Sequence, residues 1–131
     1  DACVLPKAAG VEMVGAGGNG WRTRMSEHLE QVSAVNWFEQ TYPSARMFAI
    51  PNGGLRNAIV AAKMRREGVQ KGVPDLFIPD WRLFVEMKRA NGGSLSPEQI
   101  DWRDYLISIG YRVLVCHGFE DFKRQIQSIA V

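Results

Sequence analysis

The sequence predicts an α/β fold, and three observations carry that prediction. Stretches with apolar residues at helical spacing alternate with apolar runs too short to be helices. Helix starts and stops are marked by capping residues, prolines and glycines. Two of the short runs hold acidic and basic side chains in otherwise apolar surroundings, where a charge needs a partner. The resulting order is α-β-α-β-β-α-β-α.

The first helix is expected from about Ser26 to Tyr42. Ser26 suits the N-cap, Glu27 suits the positive end of the helix dipole, and Pro43 stops the helix. Leu29, Val32, Val35 and Phe38 recur at helical spacing and are expected to face the core. Ala45–Ile50 reads as a strand, ended by Pro51 and the turn PNGG. Asn57 then caps a second helix, AIVAAKMRRE, with Gly68 just past its end and Lys63, Arg65 and Arg66 in its last turn. Asp75–Ile78 is a short strand, PDW a turn, and Arg82–Lys88 a longer strand. Within it Leu83, Val85 and Met87 alternate with Phe84, Glu86 and Lys88. An antiparallel pairing of these two strands can bring Asp75 beside Glu86. After the loop ANGG, the run SPEQ is a helix start: Ser96 at the N-cap, Pro97 at N1 and Gln99 where a capping box needs it. That helix is expected to run to about Ile109, with Gly110 ending it. Tyr111–Cys116 reads as a buried strand, and Phe119–Ala130 as a helix with Phe119, Phe122, Ile126 and Ile129 on one stripe.

At 131 residues the chain is long enough for one domain with a single core. Hydrophobic residues at 46% and charged residues at 23% are ordinary for a water-soluble protein, and no apolar stretch approaches a membrane span. A net charge of +2 excludes a polycation, so any nucleic-acid surface has to be a local basic patch. Cys3 and Cys116 have no metal-ligand spacing, and Cys116 reads as a buried, reduced thiol. Residues 1–20 are rich in Gly and Ala and lack the charged region that leads a secretory signal. We read 1–22 as a flexible arm, or a strand that orders on a partner, and 23–131 as the folded domain.

The chemistry concentrates between Gly72 and Gln99. Two carboxylates brought together, Asp75 and Glu86, disfavour each other's ionised form unless a cation neutralises them. A hard divalent ion such as Mg²⁺ meets that need with oxygen ligands while leaving positions for water or phosphate. Lys88 on the same strand face can orient a water or stabilise charge on a phosphoryl group. An E-x-K alone is an ordinary surface pair and a PD alone is turn chemistry; the combination with apolar flanks is more specific. In the first helix Glu27 and Glu30 are alternative further acids, and Gln31 lies one turn from Glu27. In PNGGLRN the exposed amides, Asn52 and Arg56 can hold a phosphate or simply make a turn. Lys63, Arg65, Arg66, Lys71, Arg89 and Arg103 complete the candidate basic patch. His28 and His117 read as structural or surface residues, and Trp37, Trp81 and Trp102 as core or interface.

From about Ser26 onward the chain resembles the VRR-NUC family of PD-(D/E)XK nucleases, in particular its small stand-alone phage and bacterial members. The resemblance rests on Glu27 and Gln31 before a Trp-Phe pair, PNGG-x-R, G-V-P-D, E-M-K, the SPEQ helix start with Trp102, and the Gly-Tyr strand entry. It implies a restriction-endonuclease-like α-β-β-β-α-β core with extra helices, its mixed sheet flanked by helices. It also implies a Mg²⁺- or Mn²⁺-dependent deoxyribonuclease. Asp75 and Glu86 match the metal-binding acids, Lys88 the catalytic lysine and Gln99 a recurrent polar residue, while the helix-one acid is Glu27 or Glu30. Asn52, Arg56, Lys71 and Arg89 are the expected DNA contacts. The stand-alone members resemble homodimers that cut branched DNA such as Holliday junctions, in a bacterial or phage-infected cytoplasm. A flap-type nuclease and a non-catalytic nucleic-acid-binding module are the alternatives.

Overall fold

In a computed structural model of the chain, the described residues are 12–13, 23–24, 26–51 and 57–129. They fall into two compact units, which the chain builds by returning to each. The first draws on the described parts of Asp1–Ala45, Met87–Gly93 and Cys116–Val131. The second draws on those of Arg46–Glu86 and Ser94–Val115.

The first unit begins with β1 (Glu12–Met13), paired antiparallel with β2 (Thr23–Arg24). The rest of the expected arm, and with it the boundary at residue 22, lies outside the described residues. Helix α1 (Glu27–Thr41) starts where its signals place it, with the Ser26 hydroxyl accepting the Leu29 N–H at 3.1 Å. Its buried face differs from the expected one. Glu30, Ala34 and Phe38 are buried, whereas Leu29, Val32 and Val35 are half-buried. The stripe is rotated toward Glu30 because that carboxylate is satisfied inside the unit by a backbone N–H (below). Helix α4 (Phe119–Ile129) packs on α1, burying Phe122 and Ile126. Trp37 fills the seam, meeting Phe119, Phe122 and Tyr42 edge to face. Phe119 and Ile129, expected on the buried stripe, are half-buried.

The second unit carries β3 (Phe48–Ala49), α2 (Ala58–Arg66) and β4 (Leu76–Ile78), then a 3₁₀ turn at Pro79–Trp81. β5 (Leu83–Lys88), α3 (Pro97–Ser108) and β6 (Arg112–His117) follow, the last two residues of β5 and of β6 being counted with the first unit. β3 is shorter than the expected Ala45–Ile50, because Arg46 N–H donates instead to Asp80 Oδ1 at 3.2 Å. Asn57 caps α2 and Gly68 follows it with φ +102°. This helix buries nothing and leaves Ile59 82% exposed.

The strands form one four-stranded sheet in the order β3-β4-β5-β6. β3 and β5 run antiparallel to β4. β6 is parallel to β5: Arg112 N–H donates to Arg82 O and Gly118 N–H to Lys88 O, each at 2.9 Å and at the same offset. A parallel neighbour needs a long crossover, and α3 supplies it. Alternation splits β5 as expected: Leu83, Val85 and Met87 are fully buried. Leu76 and Ile78 of β4 and Cys116 of β6 are fully buried as well. β6 is otherwise half-buried or exposed, less buried than its sequence suggests. Among the described residues no helix is long and apolar enough to cross a membrane.

Candidate active site

Strand register sets the two motif residues opposite each other. Leu76 pairs with Val85 and Phe77 with Phe84, so one step further the antiparallel ladder sets Asp75 across from Glu86. The Asp75 backbone is tied on its other side, its carbonyl accepting Ile50 N–H at 2.8 Å. Asp75 is half-buried, while Glu86 is only 4% exposed, with Oε1 fully shielded from solvent. Lys88 is two residues beyond Glu86 on β5, hence on the same strand face, and is half-buried.

Gln99 reaches this place from α3. Its Oε1 accepts Ser96 N–H at 2.9 Å, and the Ser96 hydroxyl accepts Gln99 N–H at 3.2 Å, closing the capping box. With Oε1 held by a donor, the amide can present only its NH₂ group on the far side. That group donates to Glu86 Oε2 at 2.9 Å. The cap and the contact to Glu86 are therefore one device, in which helix capping orients the donor that holds the carboxylate.

A glycine with no motif role of its own packs against this helix start. Gly72 is buried with φ +95°, and a Cβ there would sit 2.7 Å from the Glu98 carbonyl carbon, its oxygen and its Cβ. The turn leading into Asp75 thus lies directly against the first turn of α3. The Gly of G-V-P-D was its only signal, and a Gly before a strand does not announce which element it touches.

Glu30, one of the two helix-one acids, is 6% exposed within the first unit. Its Oε1 accepts the Phe119 N–H at 2.6 Å. Glu27 is exposed in the first turn of α1. Of the expected DNA contacts, Asn52 and Arg56 lie outside the described residues. Arg89 is exposed, and Lys71 is an exposed side chain 3.9 Å from Glu98 Oε2. Phe84 shares the strand face of Glu86 and stacks on Phe77 with centroids 4.3 Å apart, and Phe48 and Tyr111 extend the aromatic row at each side. This row is not legible from local spacing, since it assembles across β3, β4, β5 and the residue before β6.

The donor set agrees with a hard divalent cation. Among the described residues no group of three Asp, Glu, His or Cys side chains converges as a closed cage. Mg²⁺ does not require one, being held by one or two carboxylates with water and phosphate oxygens completing its shell. Asp75 and Glu86 are the residues that would hold it; Gln99 aims Glu86.

The VRR-NUC domain model matches residues 24–120 of the chain. The solved structure of a VRR_NUC domain protein aligns with a TM-score of 0.68 at 26% identity, covering 80% of this chain and 88% of its own. No curated protein matches the chain. With the match spanning most of its length, the chain belongs to the VRR-NUC domain family, a nuclease-type domain family.

Proposed function

We propose that the protein is a Mg²⁺- or Mn²⁺-dependent, structure-selective DNA endonuclease that hydrolyses phosphodiester bonds in branched DNA such as Holliday junctions. The observation that carries this reading is the opposition of Asp75 and Glu86 across β4 and β5, with Gln99 donating to Glu86. VRR-NUC nucleases are in general metal-dependent. A bound divalent ion would supply Lewis-acid charge and an acidified water. The protein's own contribution is positional. Asp75 and Glu86 supply oxygen ligands, Gln99 keeps Glu86 aimed, and Lys88 orients the attacking water or balances charge building on the phosphate. Lys71 and Arg89 contact the backbone phosphates, as do Asn52 and Arg56. A homodimer of two-fold symmetry would present two sites at a fixed separation, suited to paired cuts across a symmetric junction.

The test is a cleavage panel of four-way junction, flapped and linear DNA with Mg²⁺, Mn²⁺ or EDTA, alongside sedimentation of the protein. Junction products that need metal are expected, and Asp75→Ala and Lys88→Ala should each abolish them while the circular dichroism spectrum is unchanged. Wild-type cutting by either variant would sink the assignment. Salt-dependent binding without metal-dependent products would make the protein a binding module instead.

A further inference from the structure

We propose that Glu30 is a positioning residue: it caps α4 from α1 and thereby holds the β6–α4 corner that fixes the end of the strand bearing Lys88. The inference rests on Lys88 acting as proposed above, and its bonding pattern is independent of that reading.

Phe122 N–H donates to Gly118 O at 3.1 Å, so Gly118 occupies the N-cap position of α4 and Phe119 is its first helical residue. An N-cap normally satisfies free helix N–H groups with its own side-chain oxygen, and glycine has none. Nor can another residue easily stand there. Gly118 has φ +89°, and a Cβ would meet Ala90 Cβ at 3.0 Å and Ala90 Cα at 3.2 Å. The corner is pressed against the chain leaving β5, with Gly118 N–H donating to Lys88 O at 2.9 Å.

The missing capping oxygen comes from Glu30, while Asp121 ties the helix back to the end of β6. Asp121 Oδ2 reaches back to His117 N–H at 2.8 Å. Glu30 Oε1 accepts Phe119 N–H at 2.6 Å, and its Oε2 lies 3.3 Å from where a Gly118 Cβ would be. An anion at a helix N-terminus is favoured by both the free N–H groups and the dipole, which accounts for a carboxylate at 6% exposure. One continuous path results: Glu30 to Phe119, Phe119 to Gly118, Gly118 to Lys88. Both carboxylate oxygens face this corner, a geometry of capping more than of ligation.

The experiment uses the full chain with Glu30→Gln, Glu30→Ala and Gly118→Ala. It reads amide hydrogen exchange at Gly118 and Phe119, Mn²⁺ affinity by calorimetry, and cleavage of junction DNA. Glu30→Ala should speed exchange at both amides by about tenfold or more, the loss of a charge-assisted bond. It should lower kcat and leave Mn²⁺ affinity unchanged. Glu30→Gln keeps an acceptor oxygen and should restore most of the protection and most of the turnover, while Gly118→Ala should reproduce Glu30→Ala. Unchanged exchange in Glu30→Ala would overturn the proposal. So would a Glu30→Gln variant that keeps amide protection yet loses Mn²⁺ affinity by about tenfold, since that behaviour defines a ligand. If the wild type cuts no DNA, the nuclease reading falls, and the exchange data still decide whether Glu30 holds the corner at Lys88.

Discussion

At the scale of single residues, the site depends on how each polar atom is satisfied. Gln99 could have been a capping residue and nothing more, since Ser96 and Pro97 beside it explain its presence. Its two ends divide the work, Oε1 on Ser96 N–H and Nε2 on Glu86, and only the second was beyond local rules. Gln99→Glu tests the distinction. It keeps the capping acceptor but sets a second carboxylate against Glu86, so the helix should remain while cleavage falls by about tenfold or more. Equal loss of helix and activity would say that capping alone matters. Cys116 presents a different residue-scale case. Burial, reinforced by the nearby Asp121 carboxylate, pushes its thiol up from 9.0 to about 12. A raised pKa keeps the folded thiol protonated where the unfolded thiol ionises. Stability from this group is therefore complete below pH 9.0 and declines as pH rises toward about 12. In a Cys3→Ser background, native Cys116 should resist alkylation near pH 9 and react fully in denaturant, the native thiolate being roughly a thousandfold scarcer. Fast native labelling would contradict its burial.

At the scale of elements, α1, α2 and α3 start at the cap residues expected of them, because a cap is a short-range device whose donors and acceptors lie within one turn. Strand ends shifted by a residue or more, and β3 shrank to two residues, since a strand lasts only as long as its neighbour pairs with it. The α1 stripe was misjudged for a related reason. Hydrophobic spacing pointed to Leu29, Val32 and Val35, yet the helix is turned to bury Glu30, whose partner is 89 positions away. Gly72 is the element-scale position most exposed to test. Gly72→Ala adds a Cβ at 2.7 Å from backbone that cannot yield cheaply, at a φ of +95°. It should cost about 2–4 kcal/mol in urea unfolding, from strain and overpacking together. A loss under about 1 kcal/mol would mean that the turn and α3 are free to part.

At the scale of the whole molecule, the apolar face of β5 and the polar face serve separate ends. Leu83, Val85 and Met87 are fully buried regardless of any ion, so removing divalent metal with EDTA should stop cleavage without unfolding the chain. Binding to the native state alone adds stability by mass action. Millimolar Mg²⁺ at about ten times its Kd should therefore add about 1.4 kcal/mol, a rise of a few degrees in Tm. Asp75→Ala should lose that rise. An equal rise in the variant would place the ion elsewhere. The net charge of +2 constrains the same scale, because DNA contact must rest on a local group of cations whatever the substrate.

The sequence by itself determined the order of elements from α1 onward, the helix starts, the shared strand face of Glu86 and Lys88, and, through its ordered motifs, the family. These depend on caps and on the two-residue period of a strand, which act within a few bonds of the residues concerned. Only the tertiary structure decided that β4 and β5 register Asp75 against Glu86, that β6 joins β5 in parallel, that Gln99 donates to Glu86, and that Glu30 caps α4. Each of these joins segments remote in the chain. Which remote groups meet is set by burial and by the demand of buried polar atoms for partners, and that demand is met only once the chain has folded.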